Sequence, residues 1–87
     1  MAARYRVELS PKAQRQLRAL PKGVQGRIDA KILALADNPR PPGVTKLQGQ
    51  EDRYRIRVGD YRVIYCIDDK TLLVLVVEIA NRREAYR

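Results

Sequence analysis

The stretch RYRIRVGDYRVIY, Arg53 to Tyr65, decides the fold. Arginine and apolar residues alternate on both sides of Gly59-Asp60, a dipeptide suited to a two-residue hairpin turn. Closing the hairpin there pairs Val58 with Tyr61, Arg57 with Arg62, Ile56 with Val63, Arg55 with Ile64 and Tyr54 with Tyr65. Side chains alternate across a strand, so this register sorts them by face. Tyr54, Ile56, Val58, Tyr61, Val63 and Tyr65 form an apolar face, and Arg53, Arg55, Arg57 and Arg62 stand together on the other, outside the core.

Downstream, TLLVLVVEI (Thr71 to Ile79) is apolar on both alternating faces, as in an interior strand that is covered at least in part on each side. Cys66, the single cysteine, falls inside the preceding strand and is expected to be a buried structural thiol; with no histidine in the chain, nothing is available to activate it as a nucleophile. Neither a disulfide framework nor a Cys/His metal site can be built from this composition.

Upstream, RYRVEL (Arg4 to Leu9) alternates like a short strand and is bounded by Ser10-Pro11, a helix N-cap followed by proline at the first helical position. Ala13, Leu17 and Leu20 share one face of that helix, which Pro21 ends. A second helix is expected from about Lys22 to Asp37, with Val24, Ile28, Ile32, Leu35 and Ala36 on one stripe, stopping before Asn38-Pro39. NPRPPGVTKLQGQED is a proline- and glycine-rich surface loop with some extended character in VTKLQG. The resulting class is α+β: a two-helix hairpin packed on a small, mainly antiparallel four-stranded sheet, β-α-α-β-β-β, in one domain spanning residues 1–87.

With 87 residues, a core this small leaves room for a stabilising partner. The 45% hydrophobic and 32% charged content fits a folded domain rather than a disordered one. No apolar run has the length of a signal peptide core or a membrane span, so the chain is expected to be cytoplasmic with no membrane partner. The net charge of +8 points to a polyanionic partner.

Arg57 facing Arg62 should destabilise the hairpin by roughly 0.2 to 1 kcal/mol. A solvated face that discourages edge pairing is one explanation. The exclusive use of arginine, whose planar fork of donors suits phosphate oxygens, and the lack of alternating acids favour an oxyanion-binding platform. The ending NRREAYR adds Arg82, Arg83, Arg87 and Tyr86, a ring able to stack on a base or anchor the tail.

This order of elements, the string KLQGQEDRYRIRVGDYRVIYCIDD and the ending NRREAYR together resemble the RelE/ParE superfamily of type II toxins over nearly the whole chain. The resemblance implies a toxin restrained by a cognate antitoxin protein. Its RelE branch implies a ribosome-dependent mRNA endonuclease in which a ribose 2'-hydroxyl attacks the adjacent phosphate, with ribosome and mRNA as partners and no metal or other cofactor. The ParE branch implies a gyrase inhibitor instead, and a plain RNA-binding module is a third reading of the charge pattern.

Carried over by position, the RelE pattern assigns catalytic roles to Arg55, Arg57, Arg62, Arg82 and Tyr86. Arg53, Arg83 and Arg87 are left as RNA-binding residues. Arg55 and Arg57 stand where the pattern often has lysine, which casts them as charge stabilisers rather than bases. Asn81 stands where many relatives carry histidine, so the usual acid/base candidate is missing.

Overall fold

The hairpin forms in the register that the alternation dictates. This computed structural model describes residues 4–47, 49 and 53–81. Strand β3 (Arg53–Val58) and strand β4 (Tyr61–Asp68) pair antiparallel, with Val58 opposite Tyr61, Arg57 opposite Arg62 and Tyr54 opposite Tyr65. Gly59 takes φ +59°, the left-handed value that a II′ turn asks of its first central residue.

Upstream lie β1 (Arg6–Leu9), α1 (Pro11–Arg18), α2 (Lys22–Ala34) and β2 (Thr45–Lys46); β5 (Leu73–Asn81) ends the described part. The sheet runs β1-β5-β4-β3-β2, all antiparallel except β1, which pairs parallel with β5. It therefore has five strands where four were expected. The addition is β2, whose two residues pair with Tyr54 and Arg55 inside the proline- and glycine-rich loop.

Both helices pack on one face of the sheet. Ala13, Ile28, Ile32 and Leu35 meet Tyr54, Ile56, Val58, Val63, Tyr65, Ile67, Val74, Val76 and Ile79 in a single core. Each large apolar side chain fully buried contributes about 1.5–3 kcal/mol. Six such residues on the hairpin's inner face outweigh one like-charge pair on its outer face, and a slip of one residue would turn them all to solvent.

Local chemistry sets the helix ends. The Ser10 hydroxyl accepts from the Ala13 N–H at 3.1 Å and Pro11 starts α1. Between the helices, the Gln25 amide donates to the carbonyl oxygens of Leu20 (2.6 Å) and Arg18 (3.2 Å), closing the Pro21 corner. The second helix ends at Ala34 rather than Asp37: Leu35 and Ala36 donate to the carbonyls of Ile32 and Leu33, three residues back, in a tightened last turn before Asn38-Pro39.

β5 is interior, between β1 and β4, as its apolar character suggested. Its face parity changes midway. Ile64 pairs with Glu78 but Tyr65 with Val76, so Val77 is an extra residue, a bulge. Beyond the end of β1, α1 satisfies the backbone there: the Ser10 hydroxyl donates to the Val77 carbonyl (3.2 Å) and the Ile79 N–H donates to Gln16 Oε1 (2.7 Å).

The β4–β5 turn ties three segments together. Asp68 accepts from the backbone N–H groups of Lys70 and Thr71, and that bonding, led by Thr71, holds its carboxyl below the usual range. Asp69 receives a bidentate pair from Arg40 (3.2 and 2.9 Å) and the Tyr5 hydroxyl (2.6 Å). The Leu72 carbonyl, on a residue with φ +53°, accepts from the Arg6 N–H. Arg40 also lies 5.2 Å over the Tyr54 ring, itself stacked on Tyr65, while the fully buried Tyr65 hydroxyl donates to the Pro39 carbonyl at 2.7 Å. Burial pushes the Tyr65 phenol up to about 12. None of the helices formed by the described residues is long and apolar enough to cross a membrane.

The Arg40 guanidinium and then the Tyr5 hydroxyl hold the Asp69 carboxyl below its ordinary value, so its contribution to stability is present above the unfolded value of about 3.9 and is lost as pH falls through the lower folded value. Asp69→Asn should therefore melt below the wild type at pH 7, with a gap that narrows under pH 4 and closes in stronger acid. Thermal melts of both proteins across that range check this, and a gap of equal size at pH 7 and pH 2.5 would contradict it.

Candidate functional site

The face of the sheet opposite the helices carries the arginines. By register, Arg53, Arg55 and Arg57 of β3 share it with Arg62, Ile64, Cys66 and Asp68 of β4 and with Leu73, Leu75, Glu78 and Ala80 of β5. Alternate residues on one strand repeat about every 7 Å, so β3 presents three guanidinium stems in a row. Arg53 and Arg57 are exposed and Arg55 is half-buried.

Arg62 differs from the expectation of a surface position. It occupies the predicted register opposite Arg57, yet it is only 6% exposed. It sits on the central strand, flanked by Arg57 on one side and Ala80 on the other. The row on β3 is thus accessible, and Arg62 lies beside it as a buried cation.

Cys66 also departs from expectation. Its thiol is half-buried rather than in the core, because its alternation places it opposite Arg53 and Leu75 on the face without helices. With Leu73 and Leu75 it lines a shallow groove of about 570 Å³ at the β4–β5 end of that face.

Four of the described carboxylates have cationic partners other than the β3 row. Asp37 pairs with Arg4, Glu8 with Arg6, Glu78 with Lys12 and Asp69 with Arg40. Among the described residues, no acidic side chain lies within ion-pair distance of Arg53, Arg55 or Arg57. An arginine row without acid partners is a standing attraction for an oxyanion, and the guanidinium fork matches the geometry of phosphate oxygens.

Arg82, Arg83, Tyr86 and Arg87 lie outside the described residues. Asn81 is the last described residue and pairs with Tyr61, so its register belongs to the helix-bearing face and not to the arginine face. Arg27 was not singled out from sequence: its guanidinium approaches the Gly59 turn, where an added Cβ would meet it at 3.3 Å. No short-range pattern could have announced a contact between residues so far apart in the chain.

Comparison with known proteins gives a consistent answer. Residues 7–86 match the family described as the ParE toxin of type II toxin–antitoxin systems. The chain is 33% identical to the toxin RelE of Mycobacterium tuberculosis, over 95% of this chain and 87% of that protein. It is 31% identical to a RelE-like toxin protein of Escherichia coli, over 94% and 87%. Its structure superposes on that of the archaeal RelE in the RelE–RelB complex of Pyrococcus horikoshii with a TM-score of 0.81, at 33% identity, covering 94% of this chain and 97% of that one.

Repulsion within the arginine row should be visible in stability. Arg57→Gln removes the like-charge pairing with Arg62 and is expected to raise stability in low salt by a few tenths to about 1 kcal/mol. At 1 M salt the gain should shrink but not vanish, since Arg57 is exposed whereas burial of Arg62 limits screening of the pair. Urea denaturation at both ionic strengths measures it; a variant less stable than the wild type in low salt would show that Arg57 is held by favourable contacts instead.

Proposed function

The chain belongs to the ParE toxin family of type II toxin–antitoxin systems, on its RelE-like branch, and from that membership we propose that it is a ribosome-dependent mRNA endonuclease restrained by a cognate antitoxin. The observation that carries the proposal is the in-register row of arginines, without acid partners among the described residues, on the sheet face opposite α1 and α2. Several of the related RelE structures are complexes with an antitoxin, which supports a protein partner for this chain as well.

The reaction is transfer of a phosphoryl group within RNA. The 2'-oxygen of the ribose attacks phosphorus in line, the bond to the 5'-oxygen breaks, and the products are a 2',3'-cyclic phosphate and a 5'-hydroxyl end that takes up a proton. Arg55, Arg57, Arg62 and Arg82 neutralise the charge that grows on the phosphate and the leaving oxygen. Tyr86 stacks on or orients the substrate or takes the 2'-proton, and Arg53, Arg83 and Arg87 hold flanking RNA.

The chain has no histidine, so no side chain with an unperturbed value near neutrality is available to take the 2'-proton. Its chemistry therefore depends on geometry imposed from outside. Well-oriented groups can supply roughly 7 to 11 kcal/mol of a barrier, and the ribosome is the partner able to fix mRNA that way.

Induction of the toxin in bacteria should give codon-phased mRNA 5' ends inside translated regions. On programmed ribosomes the purified protein should cut mRNA at a rate that climbs toward alkaline pH without a turnover near 6.5, and cut naked RNA negligibly at neutral pH. Arg55→Ala and Arg57→Ala should each lower the rate by about 10²- to 10³-fold while staying folded. The matched family model is named for ParE, whose branch implies gyrase inhibition; intact mRNA together with DNA damage after induction would select that reading and reject this one.

A further inference from the structure

At the end of the sheet where the arginine row stops, the helix-bearing side holds a cleft. Tyr61 opens β4 opposite Asn81 of β5, and α1 ends beside them. Gln16, Ala19 and Leu20 from the end of α1 and Tyr61, Ile79 and Asn81 from the sheet enclose a volume of about 270 Å³. One residue further along the strands, a step of about 3.3 Å, Arg57, Arg62 and Ala80 stand on the opposite face. Arg27 reaches the Gly59 turn at this same end, with no acidic side chain among the described residues in ion-pair distance. Cations thus lead from the row round the rim of the sheet toward the cleft.

The cleft itself is neutral, in a chain with 18 lysines and arginines. None of the described residues that line it carries a charge. The half-buried Tyr61 gives it an aromatic wall, Leu20 and Ile79 give it aliphatic ones, and Gln16 and Asn81 bring side-chain amides. Gln16 Oε1 already accepts from the Ile79 N–H at 2.7 Å, so the amide is held in place and its hydrogens are left to offer. A phosphate or carboxylate would find no cation in these walls. An aliphatic side chain would bury the Gln16 amide hydrogens without bonding them. A planar, neutral ring with an acceptor on its edge satisfies both the phenol and the amide, and a nucleobase is such a ring.

We propose that this cleft holds one unpaired base of the RNA whose phosphates lie on the arginine row. The ring stacks on Tyr61, an acceptor on its edge takes a hydrogen bond from the Gln16 amide, and the connecting phosphate passes Arg27 as the strand turns over the rim. This rests on the RNA reading above and adds to it a means of choosing among sequences. Arginines on phosphates hold any RNA alike, whereas an amide fixed from the backbone separates a base that presents an acceptor from one that presents a donor. Stacking tolerates every base, so the affinity comes from Tyr61 and the preference from Gln16.

The test uses 2'-O-methyl RNA trinucleotides, which lack the attacking hydroxyl and so report binding apart from cleavage, with each of the four bases in the middle. In amide NMR of the full chain, the Ala19, Leu20 and Ile79 resonances of the wild type should move and saturate, with affinities that differ among the bases. Tyr61→Leu should weaken binding by about fivefold or more, and Tyr61→Phe, which keeps the ring, should not. Gln16→Glu keeps an oxygen for the Ile79 N–H but exchanges the amide hydrogens for a second carboxylate oxygen, and should change the order of the bases. Ala19→Phe fills the cleft from an exposed position and should abolish the movement of Leu20 and Ile79. Movement confined to β3, an abasic trinucleotide as effective as the others, a base order unchanged in Gln16→Glu, full binding by Ala19→Phe, or movement of the cleft by an acidic leucine-bearing peptide and by no trinucleotide would each overturn the proposal. A wild type that binds a base here yet cuts no mRNA on programmed ribosomes would reject the nuclease reading and leave this one standing. Ribosomal cleavage whose sequence preference is the same in Ala19→Phe as in the wild type would do the reverse.

Discussion

The register of β3 on β4, fixed by the turn at Gly59 and by the apolar side chains of both strands, is the constraint on which the rest depends. Each inward side chain gains about 1.5–3 kcal/mol by burial, whereas the opposed arginines oppose the pairing by no more than about 1 kcal/mol. The inner face therefore determines where the arginines stand. They are carried to the outer face as a consequence of packing and stay there at some loss of stability. A row of this kind with no acidic side chain in ion-pair distance among the described residues has the electrostatics of a protein waiting for an anion.

A second set of interactions decides what surrounds that row. The β4–β5 turn holds Arg40 and Tyr5 through Asp69, and Tyr65 holds the Pro39 carbonyl from within the core. These contacts pin the segment that leaves α2 against the sheet and so shape a cleft beside Arg57. Because the ion pair is exposed, its own stabilisation is modest. The buried Tyr65 bond carries more, since loss of a buried partner costs about 1–3 kcal/mol.

The alternation in RYRIRVGDYRVIY was enough to give the hairpin register residue by residue, and Ser10-Pro11 and Pro21 gave the helix boundaries, because in each case the determinant is local. The family resemblance was likewise carried by a contiguous string. What escaped was set at long range. β2 has only two residues, too few for a periodic signal, and its partner is chosen by where the loop returns. The bulge at Val77 hides in a run of apolar residues that looks the same in either parity. Arg62 and Arg57 have the same sequence environment, and only a place in the middle of the sheet makes one of them buried. Cys66 was assigned to the core on residue type, when its parity with Arg53 already placed it on the other face. Lys31 and Arg57 meet at one cleft although nothing in either neighbourhood points to the other.

The central claim is that the arginine row is retained for a phosphate-bearing substrate against the interest of folding. Its most direct test measures two quantities on the same preparations of wild type and of Arg53→Ala, Arg55→Ala and Arg57→Ala: the free energy of unfolding in low salt, and the rate of mRNA cleavage on programmed ribosomes. The account predicts that they move in opposite directions, each substitution leaving the fold as stable or more stable while cleavage falls, most for Arg55 and Arg57. Substitutions that lower stability and activity in parallel would contradict it, and would make the row part of the scaffold.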